Sequence, residues 1–461
     1  MLRLRNLQCA VALALVSSSL TAQTPDTSRA GRPQPIDIQF TRAYDARGRN
    51  TFEVPKSESL PYRGFRMQLH AAFAQQYQAL THSNDADSVF VPAVAPVPGN
   101  AGTAATSDRN RLIDLGSGFN NATANLVLNT QLARGIRVQM TSYLSARRHN
   151  ETWVKDGFIQ IDASPFDVPM FDRLMRDLTV KVGHFEVNYG DQHFRRTDNG
   201  QAIYNRLVGN PLLDAFTTEV GAEAIYQRNG WLVVAALTNG EIRGNLARPD
   251  DRDPAKMLKV GFDRRLNDDL RVRLTGSWRD QRSAISNTLY NGDRAGSRYY
   301  FVMENVRATE SANATSGAIN PGFSDAARSI MINPFVEFRG LEFFGLYEIA
   351  EGRSAAETET REITHTLWEL TYQLPHVNGL YLSGRYNALT GDLGTTGTGP
   401  TLQDNSDVRV NRIQLGGGWQ VSPNLLLKAE YVDQTYDGFS RRDIRSGGRF
   451  SGVILEAVTA W

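Results

Sequence analysis

The residues of this chain that could do chemistry are spread along it at every second position and are not gathered into compact catalytic groups. Arg271, Arg273 and Arg279 interleave with Leu270, Val272, Leu274 and Trp278, and the same alternation recurs elsewhere. On the side opposite each apolar row, the basic set is Arg66, Arg137, Lys181, Arg271, Arg273, Arg279, Arg339, Arg385, Arg412 and Lys428. The acidic set is Glu219, Glu223, Glu337, Glu342, Glu348, Glu369, Glu430 and Glu456. Rings of one sign would select ions strongly. Here the signs nearly balance, which predicts mutually paired, solvated groups lining a polar interior. Arginine predominates over lysine, as bidentate pairing with carboxylate requires.

One segment concentrates charge away from this alternation. Asn188–Asp214 carries Arg195, Arg196 and Arg206 with Asp191, Asp198 and Asp214, beside Tyr189, His193 and Tyr204. A loop of this length is usually functional or disordered. Either it packs on the outside against its neighbours, or it bends inward as a constriction whose charges meet the opposite wall. Enzymatic chemistry has weaker support. His184, Glu186 and His193 could suggest a metal, but His184 and Glu186 share the phase of the outward-facing Val180 and Val182, so no metal is expected. Neither H-E-x-x-H nor G-x-S-x-G occurs, and no Ser-His or Asp-His pair stands out. Loop acids such as Asp251 and Asp253 are of a type that binds calcium weakly, and ordinary solvation explains them as well.

The elements that must position these groups are strands. Phe65, Met67, Leu69, Ala71 and Phe73 alternate with Arg66, Gln68 and His70; Ile136, Val138 and Met140 with Arg137, Gln139 and Thr141; Leu380 and Leu382 with Tyr381 and Ser383. Such runs reach about ten residues, the length of a tilted membrane-crossing strand, where soluble strands average about five or six. Helical periodicity of comparable length is almost absent, so the fold class is all-β. Connections alternate between tight turns (Arg134-Gly135, Arg228-Asn-Gly230, Leu266-Asn-Asp-Asp269, Arg339-Gly340, Leu374-Pro-His-Val-Asn-Gly379, Val421-Ser-Pro-Asn424) and long stretches near 80–116, 187–216, 240–255, 350–361, 389–407 and 435–448. That asymmetry belongs to transmembrane antiparallel barrels. Seventeen strands are clear. Antiparallel order then demands one more between 268–281 and 298–308, best placed at Ala284–Tyr290, which gives about eighteen. Sixteen results if two candidates merge or one hairpin stays outside the membrane.

Both termini carry information. In the last strand Val453, Leu455, Ala457 and Trp461 share one side, while Ile454, Glu456, Val458 and Ala460 share the other. At the start, Arg3 and Arg5 precede an apolar run from Leu7 to Val16 and a small-residue exit ending at Ala22. This is the layout of a secretory leader, residues 1–22, too short to span a bilayer. Its removal takes the only cysteine, Cys9, and leaves 48 basic and 49 acidic residues, a formal charge of −1. Nucleic acid, which calls for a clustered basic excess, is therefore not an expected partner. Residues 23–60, with Pro33, Pro35 and Pro55, read as a periplasmic extension that tucks into the mouth of a barrel spanning 61–461.

These features together resemble the Gram-negative outer-membrane porins: leader, alternating strands, short and long loops, and a terminal Gly452-x-x-x-Glu456-x-x-x-x-Trp461 strand. More narrowly, Trp153-Val-Lys-Asp-Gly-Phe-Ile-Gln160 followed by Lys181-Val-Gly-His-Phe185 and a long loop looks like the phosphate-selective class. That class implies lysine and arginine clusters along the pore, and this chain has only six lysines. The resemblance implies an outer-membrane location, Trp461 as an assembly signal read by the barrel assembly machinery, contact with outer-membrane lipid, and a homotrimer. It implies a passive, water-filled channel for small hydrophilic solutes or ions, weakly charge-selective and without cofactor. Lining residues would be Arg66, Arg137, Lys181, Glu219, Glu223, Arg271, Arg273, Arg279, Arg385, Arg412 and Glu430. Two other readings stay open: a barrel enzyme of lipase or protease type, and a structural or adhesive barrel with a plugged lumen.

Overall fold

The computed structural model describes residues 38–56, 60–92, 106–147, 152–164, 166, 168–244, 246–292, 296, 298–397 and 401–461. The expected leader, 1–22, and the first part of the extension lie outside the described residues. Sixteen long strands follow one another round a ring: β1 (Arg66–Ser83), β2 (Thr123–Ala133), β3 (Ile136–Leu144), β4 (Thr152–Ile161), β5 (Leu178–Glu186), β6 (Thr218–Arg228), β7 (Trp231–Thr238), β8 (Ala255–Arg265), β9 (Leu270–Gln281), β10 (Ala326–Phe338), β11 (Leu341–Arg353), β12 (Arg361–Gln373), β13 (Leu380–Gly391), β14 (Val408–Ser422), β15 (Leu425–Asp437) and β16 (Arg449–Ala460). Each pairs antiparallel with its neighbours, and β1 pairs with β16, with Tyr77 opposite Leu455. Trp461 and Ala71 exchange two backbone hydrogen bonds of 3.0 Å at this seam. The ring is therefore closed, and it leaves no unpaired edge. A two-residue segment, Gly118–Phe119, adds a seventeenth member to the sheet beside β1.

The count of strands settles at the lower of the two expected values within the ring. Ala284–Tyr290 and 298–308, expected as strands, are turns and irregular chain within a 44-residue connection from 282 to 325. Short apolar runs fit a strand or a packed loop equally well by periodicity alone, and here the loop folds inward. All six tight turns lie at one end of the barrel. Asn229-Gly230 and Arg339-Gly340 take positive φ at both residues (51° and 88°, 46° and 81°), as two-residue hairpins with matched twist require. The β4–β5 connection at this same end carries helix α1 (Pro169–Met175).

Alternation sorts the side chains as the pattern predicts. Met67, Leu69, Leu126, Met140, Leu274, Leu382, Val453 and Leu455 are exposed on the outer face, forming the apolar belt of a transmembrane barrel. Asn129, Asn333, Asn387, Gln414 and Glu456 point inward and are buried. The interior differs from a uniformly wet lumen. Phe335, Phe344, Leu346, Ile363, Leu389, Val410 and Val432 also face inward and pack against Tyr189, Val208, Leu212, Leu289, Tyr290 and Ile319 of two inward-folded connections. The β10–β15 half of the barrel is thus packed against these connections, while the β2–β6 half keeps a polar wall.

Candidate functional site

The segment between β5 and β6 enters the lumen and is buried almost throughout. Glycine allows its closest approaches. A Cβ at Gly200 would lie 2.7 Å from the Ala124 backbone and 2.8 Å from the Ala72 carbonyl, and one at Gly209 would overlap the Tyr299 ring. Its charges meet the far wall. Arg206 grips both carboxylate oxygens of Glu342 on β11, and Arg195 donates to Glu369 on β12 at 2.7 Å while lying 3.5 Å from Glu342. Arg196 turns back to Asp214 of the same segment through two bonds of 2.7 and 2.5 Å. Asp191 accepts two bonds of 2.8 Å from Arg273 and one from Thr275, and lies 2.6 Å from Lys259. Burial alone would raise the Asp191 pKa, but Arg273 and Lys259 hold it well below the usual carboxylate range. Asp198 pairs with Lys155 on β4.

The wall answers with groups aimed at the loop backbone. Glu430 accepts from the Val208 and Gly209 amides at 2.7 and 3.1 Å and from the Tyr299 hydroxyl at 2.6 Å. Arg385 donates to the Gly209 carbonyl at 2.6 Å and to Glu369 at 2.8 Å. Arg412 donates to the Asn210 and Gly317 carbonyls at 2.7 and 2.6 Å, so it ties this loop to the 282–325 connection. Arg298 of that connection reaches Glu456 of the terminal strand at 2.6 Å.

A third inward segment, 38–56, straps the tight-turn end. Lys56 donates to the Asp162 and Leu178 carbonyls at 2.7 and 2.9 Å, and the Ala46 amide donates to the Pro423 carbonyl at 2.9 Å. Glu53 meets Lys259 at 2.9 Å and Arg273 at 2.8 Å. Burial raises the Glu53 pKa, while Arg273 and Lys259 overcome that and bring it down to about 2.

Between these segments and the β2–β6 wall lies a cavity of about 230 Å³, lined by Arg137, Gln139, Thr141, Lys181 and Gln227 on the wall and by Arg42, Tyr44 and His193 on the inner segments. It shares Phe52, Glu53 and Gln227 with a vestibule of about 870 Å³ at the tight-turn end. Arg137 is held by the amide oxygens of Asn129, Gln139 and Gln160 at 2.6–3.2 Å. Lys181 pairs with Glu223 at 2.9 Å, Arg279 with Glu219 at 2.6 Å, and Arg271 with Asp263 through bonds of 2.8 and 2.7 Å. Arg66 sits half-buried at the very start of β1, in the inward phase.

Three expectations need correction. Arg339 does not line the interior: it occupies a tight turn and pairs with Asp269 in solvent, because hairpin geometry takes it out of the strand's alternation. Glu337 keeps the inward phase but lies at the rim beside Arg265. Glu186 faces inward, not outward, because the alternation breaks at the end of β5. It bonds His193 at 2.5 Å and Lys155 at 3.2 Å. Burial lowers the His193 pKa, and Glu186 works against that. Among the described residues, no three His, Cys, Asp or Glu side chains gather as a metal site.

Sequence reasoning missed Glu53, Lys155, Lys259, Arg298 and the inward course of 282–325. Lys259 was readable, since Leu258 and Val260 flank it on the outward row. Glu53 and Arg298 sit in irregular chain, where no periodicity indicates direction.

No protein-family model matches the chain, and no curated protein matches it in sequence. Solved structures do match. An anion-selective porin from Comamonas acidovorans is 9% identical with a TM-score of 0.47, covering 86% of this chain and 100% of that one. The trimer form of OmpT, an outer membrane protein of Vibrio cholerae, is 10% identical with a TM-score of 0.46, covering 87% and 100%. Acinetobacter baumannii OccAB2 is 8% identical with a TM-score of 0.42, covering 86% and 98%. At such distances no activity transfers to this chain. Its porin-like fold rests on its own closed ring of sixteen strands, apolar outside and largely polar within.

Proposed function

We propose that this protein is a porin of the Gram-negative outer membrane, a passive channel whose route is narrow and displaced to one side. The observation that carries this reading is the cavity along the β2–β6 wall, which shares its lining with the vestibule at the tight-turn end while the other half of the barrel is packed. The 187–217 segment acts as the constriction, latched by Arg195 and Arg206. Small hydrophilic solutes or ions pass between it and the polar wall. The cavity is lined by Arg42, Arg137, Lys155, Lys181 and Arg196 against Glu53, Asp156, Glu186 and Asp198, five cations to four anions. Most of these are paired within the protein, so ion preference is slight and shrinks further as salt screens it.

The short turns face the periplasm and the long loops the exterior, as in barrels of this kind. Trp461, at the seam between β16 and β1, serves as the assembly signal, and no cofactor takes part. A planar-bilayer recording tests the reading. A small, ohmic single-channel step supports it, whereas a silent bilayer from correctly folded protein supports a plugged structural barrel or a rim enzyme. Recovery in the soluble periplasm would end the outer-membrane reading altogether. Cross-linking in membranes decides the homotrimer.

A further inference from the structure

The tight-turn end of the barrel carries exposed aromatic side chains where strands meet the turns. Trp231 begins β7, Phe338 ends β10, Tyr372 lies near the end of β12, Trp419 near the end of β14, and Trp461 ends the chain. Such a girdle marks the level of the membrane–water interface. It has a gap. On the β2–β5 side the corresponding positions are Leu132, Ile136, Ile161 and Leu178, all aliphatic.

The connection across that gap supplies what the strands lack. In α1, Met170, Phe171 and Leu174 fall on one side of the helix, and Arg173 and Arg176 on the other. The two arginines line the vestibule, which directs the polar side toward the barrel mouth. The apolar side meets little protein: Met170 is 68% exposed, Leu174 53%, Phe171 40%, and Phe166 just before the helix 62%. The Phe166 and Phe171 rings lie 6.0 Å apart, making one aromatic patch.

This orientation is set by both ends of the connection. Asp162 accepts from the Thr179 hydroxyl at 2.5 Å, its carbonyl accepts from Lys56, and the Asp177 carbonyl accepts the Gln227 amide at 2.8 Å. Arg134 of the β2–β3 turn comes within 4.0 Å of Asp172, which puts the helix beside the outer edge of the barrel. There the apolar belt ends at Leu132 and Ile159, both exposed. The exposed apolar side of the helix therefore lies at the end of the barrel where the belt ends.

We propose that α1 with Phe166 is an interfacial anchor that inserts into the headgroup–acyl boundary of the adjacent lipid leaflet. It completes the aromatic girdle on the β2–β5 side, with Arg134 placed to meet lipid phosphates. A short helix with one apolar side and one charged side, here Asp172, Arg173 and Arg176, is suited to lie in that plane. The lipid occupant follows from the helix's place at the end of the belt and from the level of the girdle. The inference rests on the transmembrane reading of the barrel, and the test separates the two.

Cys9 is the only cysteine in the chain, so Cys9→Ser gives a thiol-free background. Single-cysteine variants Ile159→Cys, Phe171→Cys, Leu174→Cys and Arg173→Cys are spin-labelled in the full barrel in phospholipid bilayers. Accessibility to oxygen, which partitions into lipid, is compared with accessibility to a water-soluble nickel chelate. The expected result is oxygen-dominated accessibility at 159, 171 and 174 and nickel-dominated accessibility at 173. An oxygen-dominated label at 159 with nickel-dominated labels at 171 and 174 leaves the barrel in the membrane and overturns the anchor. Labels at 171 and 174 closed to both reagents overturn it in favour of a protein contact. A nickel-dominated label at 159 overturns the transmembrane reading itself.

Discussion

Replacing Glu342 with Gln removes the charge that both Arg206 and Arg195 face on the inner wall of β11. Glu342 and Arg206 are almost completely buried and bonded through both carboxylate oxygens. Taking one partner from such a pair leaves a buried charge uncompensated, which costs about 3–5 kcal/mol. Arg195 keeps Glu369 at 2.7 Å, so the loss falls mainly on Arg206 and the lower end of that range applies. At about 1.4 kcal/mol per tenfold, the ratio of docked to undocked loop falls by roughly a hundred-fold or more. The barrel strands do not depend on this pair, so heat-modifiable migration on gels stays unchanged. In planar bilayers, Glu342→Gln should show excursions to a conductance above the wild-type level. Arg339→Gln is the control: its exposed pair with Asp269 is worth about 0–1 kcal/mol, and it should leave the trace unaltered. A Glu342→Gln channel with wild-type conductance and noise would refute the claim that this pair latches the constriction.

Replacing Arg195, Arg196 and Arg206 together with Ser bares Glu342 and takes one arginine each from Glu369, which keeps Arg385, and from Asp214, so the reversal potential in a salt gradient should move toward cation preference. An unmoved potential would mean that solutes do not pass this loop. Gly200→Val pushes a side chain into the Ala72 and Ala124 backbones, and should raise conductance and protease sensitivity within 187–217 while β1 and β2 stay paired. The strap held by Glu53 should tolerate acid. A folded pKa of about 2, below the ordinary value of about 4, gives stabilisation that is present above pH 4 and lost only as pH falls through 2. Conductance should therefore stay level from neutral pH down to about 4 and rise only below that. A rise between pH 5 and 7 would mean that Glu53 is not what holds the strap.

The sequence by itself determined the wall of this protein. Lipid outside and polar interior impose a period of two on every strand, so Met67, Leu126, Leu274 and Leu455 could be assigned to the outer face and Arg137, Lys181, Arg279 and Glu430 to the inner one without any coordinates. Closure followed from the same constraint, because an unpaired edge is intolerable in lipid. The alternation of turns and loops fixed which ends lie together. Only the tertiary structure decided what fills the barrel. Whether Asn188–Asp214 lay outside or inside depended on where its arginines find carboxylates, and Glu342 and Glu369 stand on strands some 130 to 170 residues away. The strap at Glu53 and the 282–325 connection carry no period to read, since irregular chain is held by individual contacts and not by a repeating face. The two extra strands expected near Ala284–Tyr290 and 298–308 failed for the same reason. Short apolar runs such as Leu289-Tyr290 bury equally well in a sheet or against its inner wall, and the closed ring had already paired every strand edge on which they could have added.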